Sequence, residues 1–149
     1  MPAKLLLLGD GPERPYAESI CRDCVAINNI KFLGKQEQME DILPIADLFL
    51  LTSEYESFGL AALEAMAAEV PVISTNAGGL PEINIDGYSG YMSKVGDIEE
   101  MCKNALAIFK DKETHDRFKA NALAQANKFD IHNIVPLYEK LYDRLVPGN

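Results

Sequence analysis

Short apolar runs alternate with helix-like segments over the first two thirds of the chain, and this alternation restricts the possible folds more than any other feature. The apolar runs cover residues 3–8, 30–33, 47–51, 71–75 and 90–92. Strands that alternate with helices are typical of a parallel sheet covered by helices. The sequence therefore predicts an α/β fold with a Rossmann-like, doubly wound parallel sheet.

Helical patterns fill the intervals and then continue without strands to the end of the chain. They cover residues 13–26, 36–44, 58–68, a short turn from Pro81, 97–110, 113–127 and 131–145. Asp97 followed by Glu100 resembles a capping box, which marks a helix start. We therefore expect one domain over residues 1–149 that ends in a C-terminal helical tail.

Composition excludes several functional classes. With 14 Lys and Arg against 23 Asp and Glu, the net charge of −9 disfavours a nucleic-acid surface. A single phosphate ligand bound by backbone amides stays compatible with that charge. No apolar run approaches the roughly 20 residues of a membrane span, and the start lacks a signal-peptide pattern. These features predict a cytoplasmic chain without a transmembrane segment.

Motifs for other chemistries are absent. Cys21 and Cys24 form a C-x-x-C, but it lies in a helical pattern and no second pair completes a zinc site, so we interpret these two and Cys102 as reduced thiols, with the pair as packing residues. Gly9-Asp10-Gly11 lacks the third glycine of a dinucleotide fingerprint, because Arg14 stands in its place. The chain also lacks a P-loop and a hydrolase nucleophile elbow. No metal site is predicted.

Glu64 is the one charged residue in the otherwise apolar segment 58–68. A helix that is apolar all round is typically buried, and a buried carboxylate needs hydrogen-bond partners. Those partners are either protein groups or solvent at a helix end, or else the hydroxyls of a ligand. A carboxylate matches the two neighbouring hydroxyls of a ribose, as in dinucleotide folds.

The start of this helix has the features of a phosphate site. It follows a strand, and ligands bind α/β sheets at the carboxyl ends of strands. The first amides, from Ser57 to Leu60, have no intrahelical partner and carry the positive end of the helix dipole. Gly59 removes a side chain where a phosphate would approach, and Glu56 lies just outside. The pattern predicts a nucleotide-sugar site.

Glu56-Ser57-Phe58-Gly59, with Glu64 eight positions after Glu56, resembles the E-x7-E motif of retaining glycosyltransferases of family 4, which have the two-domain GT-B architecture. Nearly the whole chain looks like their donor-binding domain, through LLLLGDGPE, IKFLGKQ, ADLFLLTSEYESFGLAALEAMA, PVISTNAGGLPE and DGYSGYMSKVGD. The segments look most similar to the transferases that attach N-acetylglucosamine to L-malate in bacillithiol synthesis.

The resemblance implies a role for each matching residue. Glu64 would bind the ribose hydroxyls of a UDP-sugar, and Glu56, the candidate catalytic residue, would contact and position the transferred sugar. The amides of Phe58, Gly59 and Leu60 would face the sugar and the diphosphate.

A second group of residues and the absence of cofactors are also implied. The turn Phe32, Leu33, Gly34 and Lys35 would lie beside the uracil, mainly through main-chain groups. The UDP-sugar is the donor substrate, and neither a metal nor another cofactor is expected, since the helix dipole and basic residues take up the charge of the leaving diphosphate.

The resemblance also implies missing parts. An acceptor-binding N-terminal domain and the first strand and loop of the donor domain would precede residue 1. We therefore expect residues 1–149 to be a partial donor-binding domain cut at its start, with helix 131–145 returning toward the missing domain. No useful turnover is expected from this chain alone.

Two other functions stay open at this point. The first is half of a GT-B-like nucleotide-sugar epimerase, which would need additional acid and base residues in the cleft. The second is a non-catalytic, flavodoxin-like interaction domain, which would have no nucleotide affinity and whose Glu64 would be bonded by protein groups.

Overall fold

The computed structural model describes residues 2–145, and these form an α/β structure. Its strands are β1 (Leu5–Leu8), β2 (Ile30–Gly34), β3 (Phe49–Leu51), β4 (Val72–Thr75) and β5 (Gly90–Ser93). Its helices are α1 (Arg14–Arg22), α2 (Met39–Ile42), α3 (Leu60–Ala67), α4 (Leu80–Ile83), α5 (Ile98–Ile108), α6 (Lys112–Ala126) and α7 (Ile131–Leu145). The predicted alternation and the C-terminal helical tail are confirmed.

Two predicted helices are shorter than expected. The segment 36–44 contains only the one-turn helix α2, after which a 3₁₀ turn, Leu43–Ile45, follows. Pro44 lies in that turn and has no N–H to continue an α-helix. Helix α1 ends at Arg22, so Cys24 lies beyond it, in a turn closed by its own N–H to the Cys21 carbonyl at 3.1 Å.

The strands pair in two parallel groups rather than in one predicted sheet. Strand β1 pairs with β2, while β3, β4 and β5 form a three-stranded sheet with β4 in the middle. The chain correspondingly divides into two compact units, Met1–Met39 and Glu40–Asn149. The α/β class with parallel strands is therefore confirmed, whereas the continuous sheet is replaced by two smaller ones over the described residues.

The strands of the first unit, Met1–Met39, are only partly buried. A strand of a parallel sheet covered by helices would be buried, but Leu5 is 40% exposed and Leu6 to Leu8 are only partly covered. Among the described residues of this unit, none is buried. A two-stranded sheet with one helix has too few neighbours to enclose an apolar strand.

The second unit has a well-packed core around its central strand. All four residues of β4 are buried, and each pairs with a residue of β5, from Val72 with Gly90 to Thr75 with Ser93. The core cluster is built on Ile73, Ile108 and Phe118. Since these come from β4, α5 and α6, the cluster ties two of the tail helices to the sheet.

Aspartates begin helices α5 and α6. The Oδ1 atom of Asp97 accepts a hydrogen bond from the Glu100 N–H at 3.0 Å, which confirms the predicted helix start. The Oδ1 atom of Asp111 accepts one from the Thr114 N–H at 2.7 Å. This backbone bond, supported by the Thr114 side chain, holds the pKa of Asp111 below its ordinary value.

We expect Asp111→Ala to lower the urea midpoint at neutral pH, because a helix-start amide loses its acceptor. A carboxyl group whose pKa is lowered by folding stabilises the protein above its unfolded pKa, near 3.9. That stabilisation disappears as the pH falls through the lowered folded pKa. The difference between wild type and variant should therefore shrink in that acidic window, as measured by urea unfolding at several pH values.

Asp111→Asn is the matched control, since asparagine caps a helix equally well but does not titrate. Its difference from Asp111→Ala should persist at low pH. A pH-independent difference between wild type and Asp111→Ala would contradict the assignment.

Candidate functional site

Helix α3 is half buried and half exposed, although nearly all its residues are apolar. Ala62, Ala65 and Met66 are buried, whereas Leu60 is 63% exposed and Glu64 also faces solvent. The expectation that the whole helix is buried is therefore wrong. Both faces of α3 carry mainly apolar residues. Which face is buried is therefore decided by the tertiary contacts of the helix and not by its residue types. Glu64 is the carboxylate of an open, mainly apolar face.

The Glu64 carboxylate is free for a ligand. It lies on the same side of α3 as Leu60, which precedes it by four residues, or about one helical turn. None of the ion pairs within residues 2–145 involves Glu64. Partner groups from the protein, as the flavodoxin-like alternative requires, are not found at this position.

Glu56 binds the start of the same helix. Its Oε1 atom accepts a hydrogen bond from the Gly59 N–H at 3.1 Å. A carboxylate is stabilised at this end of a helix by the unpaired amides and the dipole. Of the three amides that were predicted to face a ligand, that of Gly59 is thus already bonded by the residue that was predicted to position the sugar.

The loop before α3 packs directly against the turn before α4. The Gly79 N–H donates to the Glu56 carbonyl at 3.0 Å. A Cβ atom on Gly79 would lie 2.5 Å from the Ser57 carbonyl oxygen, and one on Gly78 would collide with the Glu56 carbonyl oxygen. The Gly-Gly pair is therefore needed for the close backbone contact between these two segments.

Gly59 is required for packing. It is buried and has a φ of 97°, a conformation that glycine adopts without strain. The direction that a side chain would take is filled by α4, with Leu80 Cδ2 at 2.7 Å and Ile83 Cδ1 at 3.4 Å from the Cβ position. Contact with α4 is therefore one reason for a glycine here, while room for a phosphate at its backbone stays a prediction.

Ser57 and Phe58 differ in their surroundings. The Ser57 side chain is exposed. The Phe58 ring meets Phe129 edge to face, with centroids 6.0 Å apart. The Phe58 ring is thus engaged by the protein, and the contact of its main chain with a ligand stays a prediction.

The other predicted residues belong to the first unit. Phe32 pairs with Leu7 across β1 and β2, and a bulge precedes the pairing of Leu8 with Gly34. The Gly34 carbonyl accepts the Gly9 N–H at 2.8 Å. The carbonyl of Leu33 accepts Gln36 Nε2 at 2.6 Å, and Lys35 is exposed. The carbonyls of Leu33 and Gly34 thus already have protein partners.

A shallow cavity of about 350 Å³ lies at the carboxyl end of β1 in this unit. It is lined by Leu7, Leu8, Gly9, Asp10, Gly11, Pro12, Glu13, Arg14, Ala17 and Phe32. The Arg14 guanidinium donates to Glu18 at 2.8 Å, and this bond raises the pKa of Arg14. Of the four predicted turn residues, only Phe32 borders this cavity.

A buried polar centre at Asn84 escaped the sequence prediction. Asn84 has 0% exposure and lies between two isoleucines in the segment Pro81 to Ile85. The sequence signal was its position between two apolar residues, Ile83 and Ile85.

Clusters of metal ligands and membrane-spanning helices are both absent from the part of the chain that the structure describes. Residues 2–145 contain no group of three or more His, Cys, Asp or Glu side chains able to hold a metal ion. None of the helices in that range is long and apolar enough to cross a bilayer.

Comparison with known families gives a direct match. The model of the glycosyl transferases group 1 family matches residues 1–125, which is most of the chain. The chain belongs to this family. The resemblance inferred from Glu56 and Glu64 is thereby confirmed at the level of the family. The similarity to the transferases that use L-malate is confirmed by a curated relative.

Among curated relatives of this group 1 glycosyltransferase chain is N-acetyl-alpha-D-glucosaminyl L-malate synthase of Bacillus anthracis. The two are 41% identical over 94% of this chain and 37% of the relative. The chain thus spans little more than a third of that relative's length.

Solved structures share the fold. Sucrose-phosphate synthase from Thermosynechococcus elongatus superimposes with a TM-score of 0.85 and 25% identity, over 98% of this chain and 39% of that one. Anabaena HepE in complex with UDP gives a TM-score of 0.81 and 24% identity, over 98% of this chain and 41% of that one.

We expect Gly59→Ala to destabilise the protein by about 1–3 kcal/mol more than Gly96→Ala. Both glycines have positive φ, so both variants carry backbone strain, but open space surrounds Gly96. Only the new methyl group at position 59 meets Leu80. Urea unfolding of the two variants gives the difference, and equal destabilisation would refute the packing role of Gly59.

Proposed function

We propose that this chain is the donor-binding part of a retaining glycosyltransferase that transfers N-acetylglucosamine from a UDP-sugar to an acceptor, with L-malate as the candidate. The observation that carries the proposal is the exposed, unpaired Glu64 carboxylate on the open face of α3, one turn from a helix start that is bonded by Glu56. Family membership favours a transferase over the epimerase and flavodoxin-like alternatives.

Glu64 is proposed to bind the ribose. An ionised carboxylate only accepts hydrogen bonds, and its two oxygens suit two adjacent hydroxyl donors. Because its side chain is exposed in the absence of ligand, binding costs the protein no internal ion pair. The apolar surface of Leu60 beside it would cover part of the nucleoside.

Glu56 and the first amides of α3 are proposed to bind the sugar and the diphosphate. The Glu56 carboxylate would receive sugar hydroxyls with one oxygen while the other keeps the Gly59 N–H. The amides of Phe58 and Leu60 would then be available to the anionic part of the donor, where the helix dipole favours negative charge. The exposed hydroxyl of Ser57 would lie beside them.

The turn Phe32, Leu33, Gly34 and Lys35 is proposed to border the uracil. Phe32 lines a cavity in its unit, and an aromatic ring there offers apolar area to a base. The exposed Lys35 ammonium would add positive charge close to the nucleotide.

The rest of the enzyme would supply the acceptor site. This chain spans 37% of the length of its Bacillus anthracis relative. We propose that residues 1–149 form part of a donor-binding domain, that a further domain binds the acceptor, and that a first strand and loop of the donor domain outside these residues provides basic residues to the diphosphate. A cytoplasmic location is part of the proposal, since the cysteines are free thiols.

The proposed reaction needs neither a metal nor a cofactor. The bond between the anomeric carbon and the diphosphate oxygen breaks, and the acceptor hydroxyl oxygen forms a bond on the same face of the sugar. The hydroxyl proton passes to the departing phosphate oxygen. Positive potential at the start of α3 stabilises the leaving diphosphate. The named activity of the malate synthase relative and the UDP bound to HepE support this donor.

The test is amide NMR of the 149-residue chain titrated separately with UDP, ADP and GDP. We expect saturable UDP-dependent shifts at residues 56–64 and 32–35. Glu64→Ala should weaken UDP binding by roughly tenfold, the loss expected for a carboxylate that makes charge-assisted hydrogen bonds. Glu113→Ala on the exposed start of α6 is the control and should leave the titration unchanged.

Two results would contradict the proposal. Equal shifts with all three nucleotides would remove the preference for uracil. Shifts that cluster outside these residues, or that survive Glu64→Ala unchanged, would remove the site assignment.

A further inference from the structure

We propose that Asn84 is a positioning residue of this site: its buried amide fixes α4, and α4 holds Glu56 and Gly59 in place at the start of α3. The functional meaning of this role rests on the proposed function above. The contacts that carry it are independent of any ligand.

The amide nitrogen of Asn84 connects α4 to two strands. Its Nδ2 atom lies 3.2 Å from the Val72 carbonyl oxygen in β4 and 3.1 Å from the Tyr91 carbonyl oxygen in β5. It also donates to Ser74 Oγ at 3.0 Å. Two N–H groups therefore serve three acceptors, which restricts the side chain to one orientation.

The amide oxygen of Asn84 is held as well. Its Oδ1 atom accepts a hydrogen bond from Ser89 Oγ at 3.0 Å, and Ser89 Oγ in turn accepts the Ile85 N–H at 2.8 Å. A Cβ atom on Gly90 would lie 3.0 Å from the same oxygen. Both ends of the buried amide are therefore satisfied and closely surrounded.

Helix α4 is one turn long, so its two ends move together. The Asn84 N–H donates to the Leu80 carbonyl at 2.9 Å and closes that turn. The buried Gln125 adds a second anchor, since its Nε2 atom donates to the Ile83 carbonyl at 3.0 Å. The helix is thus fixed from β4, β5 and α6.

The other end of α4 contacts the candidate site. Gly79 donates to the Glu56 carbonyl at 3.0 Å, and Leu80 fills the space beside Gly59. These contacts couple the position of α4 to the loop that carries Glu56. A change in the seating of Asn84 would therefore be transmitted to the Glu56 loop.

Stability alone gives a weak reason for an amide at this position. Replacing both partners of a buried hydrogen bond with apolar groups of similar shape can be nearly neutral for stability, whereas removing Asn84 alone would leave its buried partners unsatisfied. What an apolar side chain cannot supply is the fixed direction of several hydrogen bonds. The directionality indicates a positional role.

The test is amide hydrogen exchange in the 149-residue chain without ligand, comparing wild type with Asn84→Ala. We expect exchange at Gly59 and Gly79 to become about five- to tenfold faster relative to the α6 amides, which report global opening. Ser74→Ala removes one acceptor and should shift the same two amides in the same direction by less.

Asn121→Ala is the matched control. Asn121 Nδ2 also donates to a backbone carbonyl, that of Tyr88 at 3.1 Å, but it has no bond to α4. It should leave the ratio for Gly59 and Gly79 unchanged. If Asn84→Ala accelerates the α6 amides by the same factor as Gly59 and Gly79, the positioning role is refuted. If Asn84→Ala does not fold, Ser74→Ala decides by the same ratio.

A UDP titration of the same variants separates this inference from the proposed function. A half-saturating UDP concentration that is equal in wild type and folded Asn84→Ala would overturn the positioning role even though UDP binds. A selective exchange effect together with no UDP response in wild type would support the contact and overturn the proposed function alone.

Discussion

Backbone lies directly against backbone where the loop before α3 meets the turn before α4, and the rest of the candidate site depends on this contact. Gly78 and Gly79 allow the approach because side chains there would meet the carbonyl oxygens of Glu56 and Ser57. Once the two segments are in contact, the Glu56 carbonyl has a donor and Gly59 faces Leu80. The start of α3 is thereby held on one side and open on the other.

The openness of α3 on that other side explains how an apolar helix can serve a polar ligand. Its buried side, with Ala62, Ala65 and Met66, joins the core of the second unit. Its exposed side combines Leu60 with the Glu64 carboxylate. A surface that is mainly apolar but carries one acceptor suits a nucleoside, whose base and sugar differ in polarity in the same way. An acidic chain can in this way take an anionic donor through backbone amides.

Part of the fold and of the candidate site could be predicted from residue order alone. The strand and helix alternation, the Asp97 helix start and the family of the chain all follow from local patterns and from the spacing of Glu56 and Glu64. Burial was less predictable. Glu64 and Asn84 each stand directly between two apolar residues, yet Glu64 faces solvent and Asn84 has 0% exposure. Which of the two is enclosed depends on α4 and β5, and these elements are separated from Glu64 along the chain.

The sequence by itself determined the α/β class, the family and the residue types of the candidate site, because periodicity, turn residues and motif spacing are local properties. Only the tertiary structure decided the pairing of the strands into two sheets, the exposed side of α3 and the reason for Gly59. Each of these depends on which distant segments come into contact. The side-chain space at Gly59 is filled by Leu80, twenty-one residues later in the chain. The residue type alone does not show that a glycine packs against a helix, because this contact depends on segments that are distant along the chain.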